Sequence, residues 1–314
     1  MIGDENKLTP GYMARHIPPR SGLGLPIAII DVAQDFLLAH LADQGIFDVV
    51  TFKGGTALRK LYAGAQGRFS TDIDLAAVEA GVDRNALAAI VAAACDVKLG
   101  PFTCAPINER NRWQIGVSSR FGNPEIRIKL DVGPPAWISR EYRSFITTPI
   151  HTRYGFALPA LPTMCLEEVL AEKLARLARK ATARDASDLI WVAQTSPYSQ
   201  FSRARVRRLA MLKIWVDNNG LQPAWDKAIA SVPFSAASLF AAGREWDDED
   251  IGMLATPPPT LSALESGLKK HYSWLADITP EEERWASAEP RIRGEVLKAV
   301  RVLEGSTLSD AHIY

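Results

Sequence analysis

Two aspartates two residues apart, Asp72 and Asp74 in Ser70-Thr71-Asp72-Ile73-Asp74-Leu75, are the part of this 314-residue chain best suited to chemistry. On an extended segment, residues i and i+2 face the same way, so these carboxylates share one face while Ile73 and Leu75 share the other. Hard oxygen ligands of this kind select Mg²⁺ or Mn²⁺, ions that keep waters and take phosphate oxygens as remaining ligands. A third carboxylate, Asp131, lies in the alternating stretch Glu125 to Val132. There Ile126, Ile128, Leu130 and Val132 share one face, and Arg127, Lys129 and Asp131 the other. Neighbouring strands would bring the three acids together.

Upstream stands Lys53-Gly54-Gly55-Thr56, at the junction of an apolar strand and a helix. Gly pairs let backbone approach a ligand closely, and N–H groups plus the Thr56 hydroxyl at a helix start suit the β and γ phosphates of a nucleotide. Two divalent ions beside such a cradle activate an attacking hydroxyl and stabilise a leaving pyrophosphate. A lone Asp-x-Asp or Gly-Gly is common in ordinary turns and strand ends; the combination at short range is the specific signal. Lys53 and Lys129 either serve the triphosphate or solvate strand ends.

Apolar residues from Ile27 to Leu41 recur at helical spacing, with Asp31 and Asp35 elsewhere on the wheel. Strands are expected over Phe47–Phe52, Asp72–Val78, Trp113–Phe121 and Glu125–Val132, and helices over Thr56–Tyr62 and Ala86–Cys95. The first domain, a mixed sheet with helices, spans residues 1–160; a mainly helical second domain, 161–314, completes the cleft. Its first helix has Thr163 as N-cap and an apolar stripe of Leu166, Val169, Leu170, Leu174 and Leu177. Lys173 falls on that stripe, where a cation either finds a partner or snorkels to the surface. A second helix starts near Asp185.

On these motifs the chain resembles the AbiEii-type nucleotidyltransferase toxins, including the mycobacterial MenT toxins, in the DNA polymerase β-like superfamily. Gly54-Gly55-Thr56-Ala57-Leu58 with Arg68-Phe69-Ser70-Thr71-Asp72-Ile73-Asp74-Leu75 looks like the family's first motif, and Lys129-Leu130-Asp131 its second. Glu168 to Leu174 is similar to the third, and Arg184-Asp185-Ala186-Ser187-Asp188-Leu189 to the fourth. The resemblance implies an α+β fold in which Asp72, Asp74 and Asp131 hold the metals and Arg68 and Ser70 flank the triphosphate. It implies that Lys173 contacts nucleotide or phosphate and that Asp185 and Asp188 complete the pocket. The other reading of Asp185 is a helix cap, and of Asp188 a pair with Arg184. The resemblance also implies transfer of a nucleotide from NTP to RNA, especially the 3′ end of tRNA, by a toxin that blocks translation and is neutralised by a cognate antitoxin. Deprotonation of the acceptor falls to Asp131 or Asp188. A protein hydroxyl as acceptor, or an NTP-binding module without catalysis, are the alternatives.

Whole-chain properties bound these readings. Lysines and arginines equal aspartates and glutamates at 36 each, so no global cationic field recruits nucleic acid. Local patches remain: Arg176, Arg179 and Lys180, then Arg205, Arg207 and Arg208, read either as an RNA-binding face or as solvated helix faces. His271, Tyr272 and Trp274 either stack a base or pack a helix contact. Three cysteines at unrelated spacings exclude a disulfide scaffold and a zinc site. Gly22-Leu23-Gly24 lacks the third glycine of a dinucleotide fingerprint, and Walker A is absent. The acidic Trp246-Asp247-Asp248-Glu249-Asp250 reads as a solvated loop. Charges at Asp31, Asp35 and Asp43 speak against a membrane span, so the chain reads as cytoplasmic. Phosphorylation at Ser70 or Thr71 would oppose triphosphate binding by adding negative charge beside Asp72 and Asp74.

Overall fold

The computed structural model describes residues 6–19, 21–122, 126–220, 233–241, 244–249, 251–254, 257–303 and 305–306. The chain divides into two compact units. One is built from the described residues up to Pro135 with Arg140–Thr163; the other from Ala136–Ser139, Met164–Leu254 and the described residues from Pro258 onward.

The first unit contains helices α1 (Pro10–His16), α2 (Leu25–Asp43), α3 (Gly54–Leu58) and α4 (Arg84–Ala94). Its strands are β1 (Val50–Lys53), β2 (Asp72–Ala77), β3 (Val97–Leu99), β4 (Phe102–Glu109), β5 (Arg112–Ser119), β6 (Ile126–Gly133), β7 (Glu141–Arg143) and β8 (Leu161–Thr163). They form one mixed sheet in the order β3-β4-β5-β6-β2-β1-β8-β7. The alternation in β6 is as its sequence predicts: Ile126, Ile128, Leu130 and Val132 are buried while Arg127, Lys129 and Asp131 are exposed. Glu125, expected to start this strand, lies outside the described residues. Both α2 and α4 pack on β5 and β6.

Several boundaries differ from the expectation. Phe47 belongs to a 3-10 turn, Ile46–Asp48, rather than to β1. The helix expected over Thr56–Tyr62 begins at Gly54 and loosens into a π turn over Arg59–Ala63. Thr163 is not a helix cap: it ends β8 and its hydroxyl donates to the Phe52 carbonyl at 2.9 Å, while Cys165 takes the N-cap position.

The helix α2 is long and apolar enough to cross a membrane by composition, yet most of it is buried within the fold. Asp31 and Asp35 are buried as well, because most of α2 is covered on all sides rather than along one stripe. Asp31 accepts from Arg59 Nε at 2.7 Å and lies 2.8 Å from Lys60 Nζ and 2.7 Å from His16 Nε2. Asp35 pairs with Lys60 at 2.8 Å and accepts from the Tyr154 hydroxyl at 2.5 Å. Burial alone would raise both carboxyls, but Lys60, with Arg59 and His16 at Asp31 and His151 at Asp35, holds them below the usual range.

A carboxyl depressed in the folded state binds fewer protons than in the unfolded chain, so its contribution is complete above the unfolded value, about 3.9, and is lost as pH falls through the folded value. The melting temperature is therefore expected to hold steady from neutral pH down to about pH 5 and to fall progressively below about pH 4. A thermal melt series across this range checks it; a flat profile to about pH 2 would contradict the network's energetic role.

The second unit is mainly helical, so the chain is α+β as a whole. Helices α5 (Leu166–Arg179) and α7 (Arg203–Asn219) pack together, as do α6 (Ala183–Gln194) with α9 (Leu261–Tyr272) and α7 with α10 (Pro280–Ala286). Short helices α8 (Ala236–Leu239) and α11 (Arg293–Arg301) and the paired strands β9 (Ala181–Thr182) and β10 (Trp246–Asp247) complete it. The acidic stretch read as a solvated loop thus begins in a strand, and Asp250 lies outside the described residues. On α5, Glu168 is fully buried and accepts from the Trp137 and Ile138 N–H groups at 2.8 and 3.0 Å and from Lys213 Nζ at 2.9 Å.

Candidate active site

Sheet register builds the site. β1 runs antiparallel to β2 with Lys53 opposite Asp74, and β2 runs parallel to β6 with Asp74 opposite Asp131 and Asp72 opposite Lys129. Residues opposite one another point to the same face, about 5 Å apart. Lys53, Asp74 and Asp131 therefore form a row across three strands, and Asp72 and Lys129 form the next row on that face. The other face carries Ile73 and Leu75, both fully buried.

The Gly-Gly turn closes one end of this row. Gly54 has φ +82°, in the left-handed region, and a Cβ there would enter the Asp74 carboxylate, lying 2.9 Å from Asp74 Cβ. A Cβ on Gly55 would strike the Arg68 guanidinium, 3.2 Å from its Cζ, and lie 3.5 Å from Ser70 Oγ. Both glycines are thus required by side chains predicted for the site, and the structure brings Gly54, Gly55, Arg68, Ser70 and Asp74 together. Lys53 Nζ reaches across toward β6 and would meet a Cβ on Gly133 at 3.3 Å. That places Lys53 at the acidic row rather than at a solvated strand end.

Gly54→Ala is expected to cost about 1–3 kcal/mol from left-handed strain alone, before displacement of Asp74 is counted. Urea denaturation measures this, and a variant as stable as the parent would contradict the close approach.

Three supporting residues escaped the sequence reading. Gln34, fully buried on α2, donates its amide to the Ser70 and Asp72 carbonyls at 3.0 and 3.4 Å. Arg59 donates to the Gly67 carbonyl at 2.5 Å, and its Cζ lies 3.8 Å from the centre of the Phe69 ring, holding the loop before β2. Gly133 leaves room for Lys53. The only available signal was a polar residue, Gln34, on a mostly apolar helix beside Asp31 and Asp35. Thr56 is fully buried and its hydroxyl donates to the Asp72 carbonyl, so it anchors β2 to α3. Arg68 donates to the Phe69 carbonyl at 3.1 Å, Ser70 is 7% exposed, and the Thr71 hydroxyl donates to Asp72 at 3.3 Å.

Donor type and backbone placement in Asp72, Asp74 and Asp131 fit a hard divalent cation. Among the described residues no three His, Cys, Asp or Glu side chains converge as a ready metal cluster. Asp74 leans over the Gly54 turn, so these side chains must turn to meet an ion.

In the helical unit, Lys173 is only 2% exposed, which excludes snorkelling. Its Nζ donates to Asp185 at 3.0 Å and to Asp188 at 2.8 Å, joining α5 to α6. Asp185 also accepts from Arg176 at 2.9 Å and from the Thr182 hydroxyl at 2.7 Å. Burial would raise the Asp185 carboxyl, but Lys173 and then Arg176 hold it well below the usual range.

The six cations read as an RNA face each meet a carboxylate: Arg176 that of Asp185, Arg179 that of Asp217, Lys180 that of Asp247, Arg205 that of Glu167, Arg207 that of Glu282 and Arg208 that of Glu281. Most partners are distant in sequence, so the stretch reads as basic in the chain and as charge-matched in the fold.

A mixed sheet carrying an acidic row beside a Gly-Gly turn, with a helical second unit, is the α+β fold of the MenT nucleotidyltransferases. Residues 35–276 match the model of the family "Nucleotidyl transferase AbiEii toxin, Type IV TA system", and the chain belongs to that family. It is similar to MenT4, a nucleotidyltransferase toxin from Mycobacterium tuberculosis H37Rv, at 33% identity and a TM-score of 0.80, over 95% of this chain and 99% of that one. The structure of JHP933 from Helicobacter pylori aligns over 89% of this chain and 100% of that chain, at 14% identity and a TM-score of 0.45, too distant to carry an argument. No curated protein matches the sequence. Membership makes the chain a toxin–antitoxin nucleotidyltransferase, with a nucleotide substrate and an antitoxin.

Proposed function

We propose that this toxin transfers a nucleotide from NTP to the 3′ hydroxyl of an RNA, with tRNA as the acceptor class, and so blocks translation. The observation that carries the reading is the row Lys53, Asp74 and Asp131 set against Gly54 and Gly55 with Arg68 and Ser70 above them. Cations and close backbone approach suit a triphosphate, while carboxylates suit the reacting centre.

In the reaction the acceptor oxygen attacks the α phosphorus, the bond from that phosphorus to the bridging oxygen breaks, and pyrophosphate leaves. Arg68, Lys53 and the Gly54–Gly55 backbone hold the phosphates and meet the charge on the leaving group. Asp131, exposed on its strand, takes the acceptor proton. Asp188 is held by Lys173 and is a poorer base, so Lys173, Asp185 and Asp188 act as positioning groups within the helical unit. Mg²⁺ or Mn²⁺ held by Asp72, Asp74 and Asp131 supplies charge neutralisation at the phosphates when bound. NTP and tRNA place the activity in the cytoplasm.

Incubation with total tRNA, Mg²⁺ and each α-labelled NTP in turn, resolved on a denaturing gel, tests the reading. Label on RNA from one NTP is expected; absence of label on RNA would contradict it. The pairing of all six cations on and after α5 weakens the case for an RNA face there and keeps a protein hydroxyl as the second acceptor class. Label on protein alone would establish that class.

A further inference from the structure

A cavity of about 620 Å³ opens in the helical unit. Its walls include Phe201, Arg203, Lys270, His271, Trp274 and Asp277. Arg203 and Lys270 are exposed, and among the described residues neither joins an ion pair, unlike the six cations discussed above. The aromatic wall is held by buried contacts. Trp274 is 8% exposed and its indole N–H donates to the His271 carbonyl at 2.8 Å. Phe201 lies 6.2 Å from the Trp274 ring and stacks with Tyr272 at 6.3 Å and 13° between planes. Tyr272 is fully buried and donates to the Leu189 carbonyl at 2.9 Å, which fixes that stack to α6.

We infer that this cavity binds one unpaired nucleotide of a single-stranded RNA segment, its phosphate against Arg203 and Lys270 and its base among Phe201, His271 and Trp274. The choice of RNA over a free nucleotide rests on the acceptor reading above; the cavity itself defines phosphate plus planar ring. Cations beside aromatic rings are the recurring means of holding single strands without sequence preference. The volume accommodates a mononucleotide rather than a duplex. His271, pushed below its ordinary value by burial and by Lys270, is neutral near pH 7 and offers a ring and a nitrogen rather than a third cation. Asp277 is the one acid of the six, and it leaves the site net positive. An exposed Arg and Lys are also the side chains that can be reversed without unfolding, since no buried partner depends on them.

The test measures fluorescence anisotropy of a fluorescein-labelled single-stranded oligoribonucleotide with the full-length protein, in the absence of NTP. The Arg203→Glu/Lys270→Glu variant is expected to bind at least about tenfold more weakly and to lose about 0.7 of a unit of the salt slope, the single-strand value for one phosphate. Phe201→Leu, which keeps an apolar packing group, is expected to weaken binding without changing that slope. Circular dichroism melts matching the parent establish that the variants fold. Equal binding by parent and double variant, or no binding by the parent, would overturn the subsite. Competition by AMP at the affinity of the oligonucleotide would overturn the RNA assignment in favour of a free nucleotide. Labelled-NTP transfer, run in parallel, separates the two readings: binding lost in the variant with no transfer by the parent refutes the function above and supports the subsite, and transfer with unchanged binding does the reverse.

Discussion

Asp72→Ala is expected to lower nucleotide transfer by about 10³-fold or more while leaving the fold intact. Asp72 is half-exposed on the polar face of β2, and the contacts that anchor it structurally, from Thr56 and Gln34, go to its backbone carbonyl. Truncation removes a carboxylate from the reacting face, with its contact to the Thr71 hydroxyl, and leaves those backbone anchors in place. Asp74→Asn should lose comparable activity, because the isosteric amide keeps the fit against Gly54 but not the charge. Steady-state transfer alongside a thermal melt reads both effects. Transfer near the parental rate in either variant would remove the acidic row from the chemistry, whereas inactivity with a collapsed melting temperature would make the residues structural.

The largest loss of stability is expected from Lys173→Met. The substitution removes the ammonium between Asp185 and Asp188 and leaves two carboxylates in a site that is 2% exposed at Lys173. Breaking a buried pair from one side costs about 3–5 kcal/mol, since the remaining charge is uncompensated. Arg176 and Thr182 still reach Asp185. Adding Asp188→Asn to Lys173→Met should recover part of the loss, by removing one of the two carboxylates that the ammonium had paired. Urea midpoints for the single and double variants measure this. A single variant within about 1 kcal/mol of the parent would show that Lys173 does not hold α5 to α6.

What could be read from the chain follows a physical divide. The strict alternation in β6 and the Asp72-Ile73-Asp74 pattern are local consequences of strand geometry, so the acidic face was legible before any fold was known. The Gly54–Gly55 turn was legible as a close approach, but that Asp74 and Arg68 are what approach it depends on strand pairing. Buried acids on α2 were not legible because their partners, His16 before the helix and Arg59, Lys60, His151 and Tyr154 after it, come from other segments that pack around it. The same holds for the basic stretch around α7: Arg207 and Arg208 meet Glu282 and Glu281 some seventy-five residues on, and charge density along a chain says nothing of such matching. Lys173 is the intermediate case. Its place on an apolar stripe demanded a partner or an escape, and the fold supplies two partners.

The transfer reaction is tested most sharply by counting products against a blocked acceptor. RNA ending in a free 3′ hydroxyl and the same RNA ending in a 3′-deoxynucleotide are each incubated with NTP and Mg²⁺, and pyrophosphate release and added nucleotide are quantified together. One pyrophosphate per nucleotide added is expected with the hydroxyl-ended RNA, and neither product from the 3′-deoxy RNA. Pyrophosphate at equal rates from both, or label that appears on protein instead of RNA, would contradict it.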